Sequence, residues 1–138
     1  MKKRLLSKVL FLVTFALLVV ACSKDDDDVD VKTQKVAVLL PDASIVARWA
    51  VDKQNLETVM NKYGFNATFY TAPENEDGAA LQVEQIKKAI ADGSKYIVIT
   101  AIDYKKINES GLLGQYPNVK VVCHDRFILD NPDIAYIS

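Results

Sequence analysis

Lys35-Val36-Ala37-Val38-Leu39-Leu40, broken by Pro41-Asp42-Ala43-Ser44, decides the fold of this 138-residue chain. A nearly continuous apolar run of this length is what a strand covered on both faces needs, and such strands belong to parallel sheets. The break supplies helix-start chemistry, and from Ile45 onward the pattern turns helical. Ile45, Trp49, Leu56, Val59, Met60 and Tyr63 fall on one face, and Gly64 stands where a left-handed C-terminal cap is wanted. Phe65–Thr71 reads as a second strand. The polar loop Ala72–Asp77 then leads to a second helix whose face is Ala79, Val83, Ile86 and Ile90 and which Asp92-Gly93 closes.

The alternation continues to the end of the chain. Lys95–Thr100 is a third strand, a weaker helix lies between Tyr104 and Gln115, interrupted by Gly111 and Gly114, and Val119–Cys123 is a fourth strand. Asp133–Ser138 begins a fifth, with no helix after it, which predicts a truncated chain or fragment. Strands and helices alternating at this spacing predict an α/β fold, a doubly wound parallel sheet.

Outside the body, Met1–Lys8 carries four positive charges, and Val9–Ala21 is apolar apart from Thr14. That run suits a signal peptide and is short for a membrane span. Its ending, Val19-Val20-Ala21-Cys22, resembles the lipobox of bacterial lipoproteins. The resemblance implies a signal peptide over 1–21, cleavage before Cys22, and acylation of that thiol, so that Cys22 ties the protein to a lipid bilayer. Ser23-Lys24-Asp25-Asp26-Asp27-Asp28-Val29-Asp30 follows, and such a block stays solvated, so residues 22–34 read as an acidic tether. An acidic stretch directly after the cysteine also resembles the surface-export signal of Bacteroidetes lipoproteins. A metal-binding use of the aspartates is disfavoured, because consecutive side chains on an extended chain make a poor cage.

Charge and cysteine content exclude other classes. Four of the 17 basic residues precede Cys22, leaving 13 against 18 acidic residues in the remainder. An acidic surface is a poor partner for phosphate, so no nucleic acid is expected. Two cysteines and one histidine allow neither a zinc cluster nor a disulfide scaffold, and no cofactor or metal is expected.

In an open parallel sheet, ligands bind beyond the carboxyl ends of the strands, near the point where strand order reverses. That rule selects four loops. They carry Asp42, Ser44 and Arg48; Glu74, Asn75 and Glu76; Asp103; and His124, Asp125 and Arg126. Carboxylates and guanidiniums can each grip two vicinal hydroxyls, which suits a sugar better than an apolar ligand. Each residue also has a plainer role open to it. Arg48 could be a solvated arginine, Trp49 a core residue, Asp125 and Arg126 a loop ion pair, and Asp42 and Asp103 helix caps. Glu74–Glu76 reads as a solvated loop.

Cys123-His124-Asp125 has the letters of a catalytic triad. Consecutive strand residues point to opposite faces, so Cys123 reads instead as a buried thiol and His124 as a strand-end polar residue. Without a phosphate-cradling loop after the first strand, or a carboxylate ending the third, flavodoxin-like and receiver-like readings fail, and no enzyme is expected.

Lys35–Leu40, Arg48-Trp49, Ala89–Ile99 and Val121–Arg126, followed by Tyr136-Ile137-Ser138, resemble periplasmic sugar-binding proteins, and within them the D-xylose-binding proteins of bacterial ABC transporters. The resemblance implies most of the N-terminal lobe of a two-lobe fold over 35–138. It implies sugar contacts at Arg48, Asp125 and Arg126, with Trp49, Asp42 and Asp103 as further ligand-binding candidates. The partners it implies are a monosaccharide ligand and an inner-membrane ABC permease, in a cell-envelope location. A sugar sensor feeding a membrane histidine kinase, or an inactive fragment, stands as the alternative. The loop Thr100-Ala101-Ile102-Asp103-Tyr104 lacks the proline and asparagine usual in that family, which bears on which sugar is bound more than on the class.

Overall fold

A computed structural model describes residues 33–131 and 134–137. The expected signal peptide, nearly all of the acidic tether with Cys22, and the terminal residue Ser138 lie outside the described residues. The strands are β1 (Lys35–Pro41), β2 (Asn66–Ala72), β3 (Ser94–Ile99), β4 (Lys120–His124) and β5 (Ala135–Ile137). The helices between them are α1 (Arg48–Lys62), α2 (Glu76–Ala91), α3 (Tyr104–Glu109) and α4 (Leu112–Gln115). All five strands are parallel, in the order β2-β1-β3-β4-β5.

That order makes the sheet doubly wound. The chain leaves β1 toward β2 and then returns past β1 to β3, so right-handed crossovers place α1 on one face and α2, α3 and α4 on the other. The alternation of β1 sorts its side chains between the two layers. Ala37 and Leu39 join Val83, Ile86, Ile97, Ile99, Ile107 and Cys123 in the larger core, under α2 and α3. Val36, Val38 and Leu40 face α1, where Leu56, Met60 and Phe69 close over them. The expected switch in strand order thus falls between β1 and β3, and the carboxyl ends of these strands frame the site.

The first helix departs from expectation. It opens at Arg48, not Ile45, because Oδ1 of Asp42 accepts the Ser44 N–H at 2.9 Å and the Ser44 hydroxyl, which closes a local turn instead of starting a helix. Its N-cap is Ala47, with no side-chain cap, so the capping role open to Asp42 is not observed. The buried stripe is also narrower than the apolar pattern. Trp49 is buried and Leu56 and Met60 pack on the sheet, while Ile45, Val59 and Tyr63 are exposed. A helix over only the β1–β2 edge has room for one row, and Lys53 fills a place in it with its ammonium 5.7 Å from the Phe69 ring centre. Gly64 does take the left-handed conformation expected after this helix. The expected weak helix is two short ones, divided at Gly111, with Gly114 inside the second.

Candidate functional site

The loops at the carboxyl ends of four strands converge. Arg48 and Trp49 open α1 after β1, Glu74 lies between β2 and α2, Thr100 and Ala101 follow β3, and Asp125 and Arg126 follow β4. Neighbouring strands are spaced by about 4.8 Å, so β2 and β4, three steps apart in this sheet, are separated by about 14 Å. Two long side chains cross that gap. Arg126 Nη2 donates to Glu74 Oε1 in a charge-assisted contact, and Arg126 Nη1 reaches the Ala101 carbonyl at 3.5 Å.

Trp49 forms the floor beneath them. It is 2% exposed, and its indole N–H donates to Glu74 Oε2 at 3.0 Å. The Arg48 and Arg126 guanidinium carbons sit 4.6 Å and 5.1 Å from its ring centre. Buried indole needs a partner for its N–H and its π face attracts cations, and this arrangement meets both requirements. Trp49 therefore takes the core position that its place on the apolar stripe suggested, directly under the two arginines.

Asp125 is the pivot of the other pair. Its Oδ1 accepts from Arg48 Nη2 at 2.5 Å, while Arg48 Nε reaches Asp52 Oδ2 at 3.4 Å. The hydrogen bond from Arg48 to Asp125 raises the pKa of the guanidinium further still, so it stays charged. Asp125 Oδ2 has no hydrogen-bond partner among the described residues. The Asp125 backbone is left-handed at φ 64°, a region that aspartate tolerates better than most residues. Neighbouring chain holds it there. Asp125 N–H donates to the Ile137 carbonyl at 3.1 Å, Arg126 N–H to the His124 carbonyl at 2.7 Å, and the Tyr136 hydroxyl to the Asp125 carbonyl at 3.3 Å. Tyr136 in turn stacks on Phe127, with ring centres 3.7 Å apart.

Of the six candidates, the fold brings Arg48, Trp49, Asp125 and Arg126 together. Asp42 and Asp103 are not joined to them by hydrogen bonds. The Asp42 carboxylate is held by Ser44, whose hydrogen bonds lower its pKa. Asp103 caps α3, accepting from the amides of Lys105 at 2.9 Å and Lys106 at 3.4 Å, and lines a shallow cleft with Glu74 and Lys106.

Glu74 corrects the reading of its loop as solvated. Burial pushes its carboxyl pKa up, but the hydrogen bonds from Arg126 and Trp49 outweigh this, so the net shift is downward and it stays ionised. Nothing in the sequence singles it out from Asn75 and Glu76. Asn75 serves as the cap of α2, its Oδ1 accepting from Gly78 N–H at 2.8 Å, and Glu76 is exposed. Gln82, also unforeseen, is fully buried and clamps the loop after β3. Its Nε2 donates to the Thr100 carbonyl and its Oε1 accepts from Ile102 N–H, both at 3.0 Å. The Thr100 hydroxyl contacts His124 through Nδ1 at 3.1 Å and the carbonyl at 2.9 Å, joining β3 to β4 just below the site. Cys123 is buried, as its strand position implied, and burial raises its thiol pKa. No group of three potential metal ligands occurs among the described residues.

Charged groups thus gather at the carboxyl edge of a five-stranded parallel sheet, at the point where strand order reverses, in an α/β lobe. Residues 36–138 match the periplasmic binding protein domain, and the chain belongs to that family. A curated relative is the multiple sugar-binding periplasmic protein of Azospirillum brasilense, 30% identical over 103 residues, covering 75% of this chain and 28% of the relative. Among solved structures, an ABC transporter solute-binding protein from Clostridium phytofermentans with bound β-D-glucose superposes with a TM-score of 0.65 at 24% identity. It covers 75% of this chain and 31% of that one. A carbohydrate transporter solute-binding protein from Chloroflexus aurantiacus, in complex with D-glucose, gives 0.65 at 22% identity over 77% of this chain and 31% of its own. The chain thus spans about three tenths of the length of these relatives, and the two structures establish the shared fold.

Proposed function

We propose that the protein captures a monosaccharide, an aldopentose such as xylose, outside the cytoplasm and presents it to an inner-membrane ABC permease. In this reading it is held at the membrane by acylated Cys22 on its acidic tether. The convergence of Arg48, Asp125 and Arg126 at the carboxyl end of the sheet carries the reading. Asp125 Oδ2 is an uncommitted acceptor on a carboxylate held by the Arg48 guanidinium, which suits a sugar hydroxyl that must both donate and accept. The sugar-binding description of the Azospirillum relative and the glucose in the two solved structures support the class of ligand. Affinity would come from these hydrogen bonds when a second lobe closes over the sugar, with closure driven by contacts that the open form lacks.

The test is calorimetric titration of the native protein with D-xylose, D-ribose, L-arabinose and D-glucose, followed by the same titration of Asp125→Asn. Asparagine tolerates the left-handed backbone, so the substitution removes charge without straining the turn. Binding of at least one sugar is expected, with affinity for it at least about tenfold weaker in the variant. No binding to any of the four, or an unchanged affinity in Asp125→Asn, would overturn the proposal.

A further inference from the structure

Glu74 lies at the centre of the site without offering a ligand either oxygen. Its Oε1 is taken by Arg126 and its Oε2 by the Trp49 indole, and its side chain is 19% exposed. The loop that carries it is rigidly seated. Asn75 caps α2, and the Pro73 carbonyl lies so close to Gly78 that a β-carbon there would fall 1.6 Å from it. Arg126 has weaker alternatives, namely the Ala101 carbonyl at 3.5 Å and the Trp49 ring at 5.1 Å. Asp125 is the other carboxylate near enough to act on Glu74 electrostatically.

From these contacts we infer that Glu74 is the positioning residue of the binding site, acting through Arg126 and Trp49 and not through the ligand. The inference rests on the sugar-binding reading above. Glu74 fixes the Arg126 guanidinium over the indole and away from Asp125. The Asp125 carboxylate is then left to Arg48 and to an incoming hydroxyl. Without Glu74, Arg126 keeps only its weak partners and can turn toward Asp125, competing with both. The indole N–H loses its acceptor at the same time, and a buried donor without a partner is driven to move. Orienting one binding group by a carboxylate that never meets the ligand is a form of preorganisation. It lowers the ordering cost of binding without adding a contact.

The experiment uses the native protein with D-xylose and D-glucose as probes. Trp49 is the sole tryptophan of the chain, so its emission reports on this one place. Glu74→Gln retains an acceptor for the indole but loses the ion pair to Arg126, while Glu74→Ala loses both. In Glu74→Gln, affinity is expected to fall about tenfold with Trp49 emission close to that of the wild type. In Glu74→Ala it is expected to fall about a hundredfold, with red-shifted emission and greater quenching by acrylamide in the ligand-free protein. If Glu74→Ala cannot be folded, Glu74→Gln alone decides. Wild-type affinity in either variant would overturn the inference. So would loss of all binding in Glu74→Gln with unchanged emission, because a carboxylate that touched the sugar would behave that way. If the wild type binds D-ribose or L-arabinose instead, the variants are compared with that sugar; a wild type that binds none of the four would overturn the sugar-binding reading and the role of Glu74 with it. That outcome is distinguishable from a wild type that binds while the variants bind equally well.

Discussion

Replacing Gln82 with leucine removes the clamp on the loop after β3 at almost constant side-chain size. The side chain is fully buried in α2, and both ends of its amide are used, on the Thr100 carbonyl and the Ile102 N–H. Leucine leaves both backbone groups without partners in a place that water does not reach. Each such group costs about 1–3 kcal/mol, and the better burial of an apolar side chain returns about 1–2 kcal/mol, for a net loss of about 1–4 kcal/mol. For a domain of this size that corresponds to a fall in Tm on the order of 5–25 °C. Gln85→Leu, close by on the same helix, is the control. Gln85 donates to the Thr71 carbonyl at 2.8 Å, but its Oε1 is buried without a hydrogen-bond partner. Leucine there loses one bond and also removes an unsatisfied acceptor, so the net change should be close to zero. Thermal melts followed by far-ultraviolet circular dichroism and by Trp49 fluorescence would measure both variants. Equal melting temperatures for Gln82→Leu and Gln85→Leu would refute the argument, because it rests on the number of backbone groups orphaned and not on the loss of a glutamine.

Three further outcomes follow from the same packing. Gly78→Ala should be among the costliest single substitutions, since the added β-carbon would meet backbone at Pro73 that has to shift; a loss at or above about 3 kcal/mol is expected, with a change in Trp49 emission as Glu74 moves. Gly114→Ala, which meets nothing within 4 Å, should instead be neutral or stabilising by about 0.5–1 kcal/mol. Cys123 is buried and its thiol pKa is raised by desolvation, so the thiol stays protonated at neutral pH. In protein whose Cys22 is acylated or replaced by serine, a thiol reagent should react with Cys123 only on unfolding, at a rate set by denaturant; rapid labelling in buffer would contradict its burial.

The layer structure was legible because it depends on local pattern. A continuous apolar run at Val36–Leu40, aromatic and branched residues through Phe65–Thr71, and apolar residues three or four apart at Ala79, Val83, Ile86 and Ile90 each state how many faces an element buries. Chain order and handedness then leave few ways to assemble them. The same logic placed Arg48, Asp125 and Arg126 at the carboxyl edge of the sheet, because position after a strand is a property of sequence. It failed at Ile45, Val59 and Tyr63, where the width of the sheet beneath α1, not the helix pattern, determined how much of the apolar face could be covered.

Which side chains meet across that edge was decided by tertiary structure alone. Glu74 and Arg126 are 52 residues apart and Arg48 and Asp125 are 77 apart, and they meet because the strands that precede them, β2, β1 and β4, lie within three steps of one another in one sheet. Asp42, Glu74 and Asp103 are all acidic residues in strand-end loops, and no local rule separates them. The first closes a turn with Ser44, the third caps α3, and only the second reaches Trp49 and Arg126. The sequence by itself determined the elements, their order and the edge at which chemistry could gather. Only the packed chain determined which carboxylate holds which guanidinium, because that choice depends on distances through space that sequence spacing does not encode.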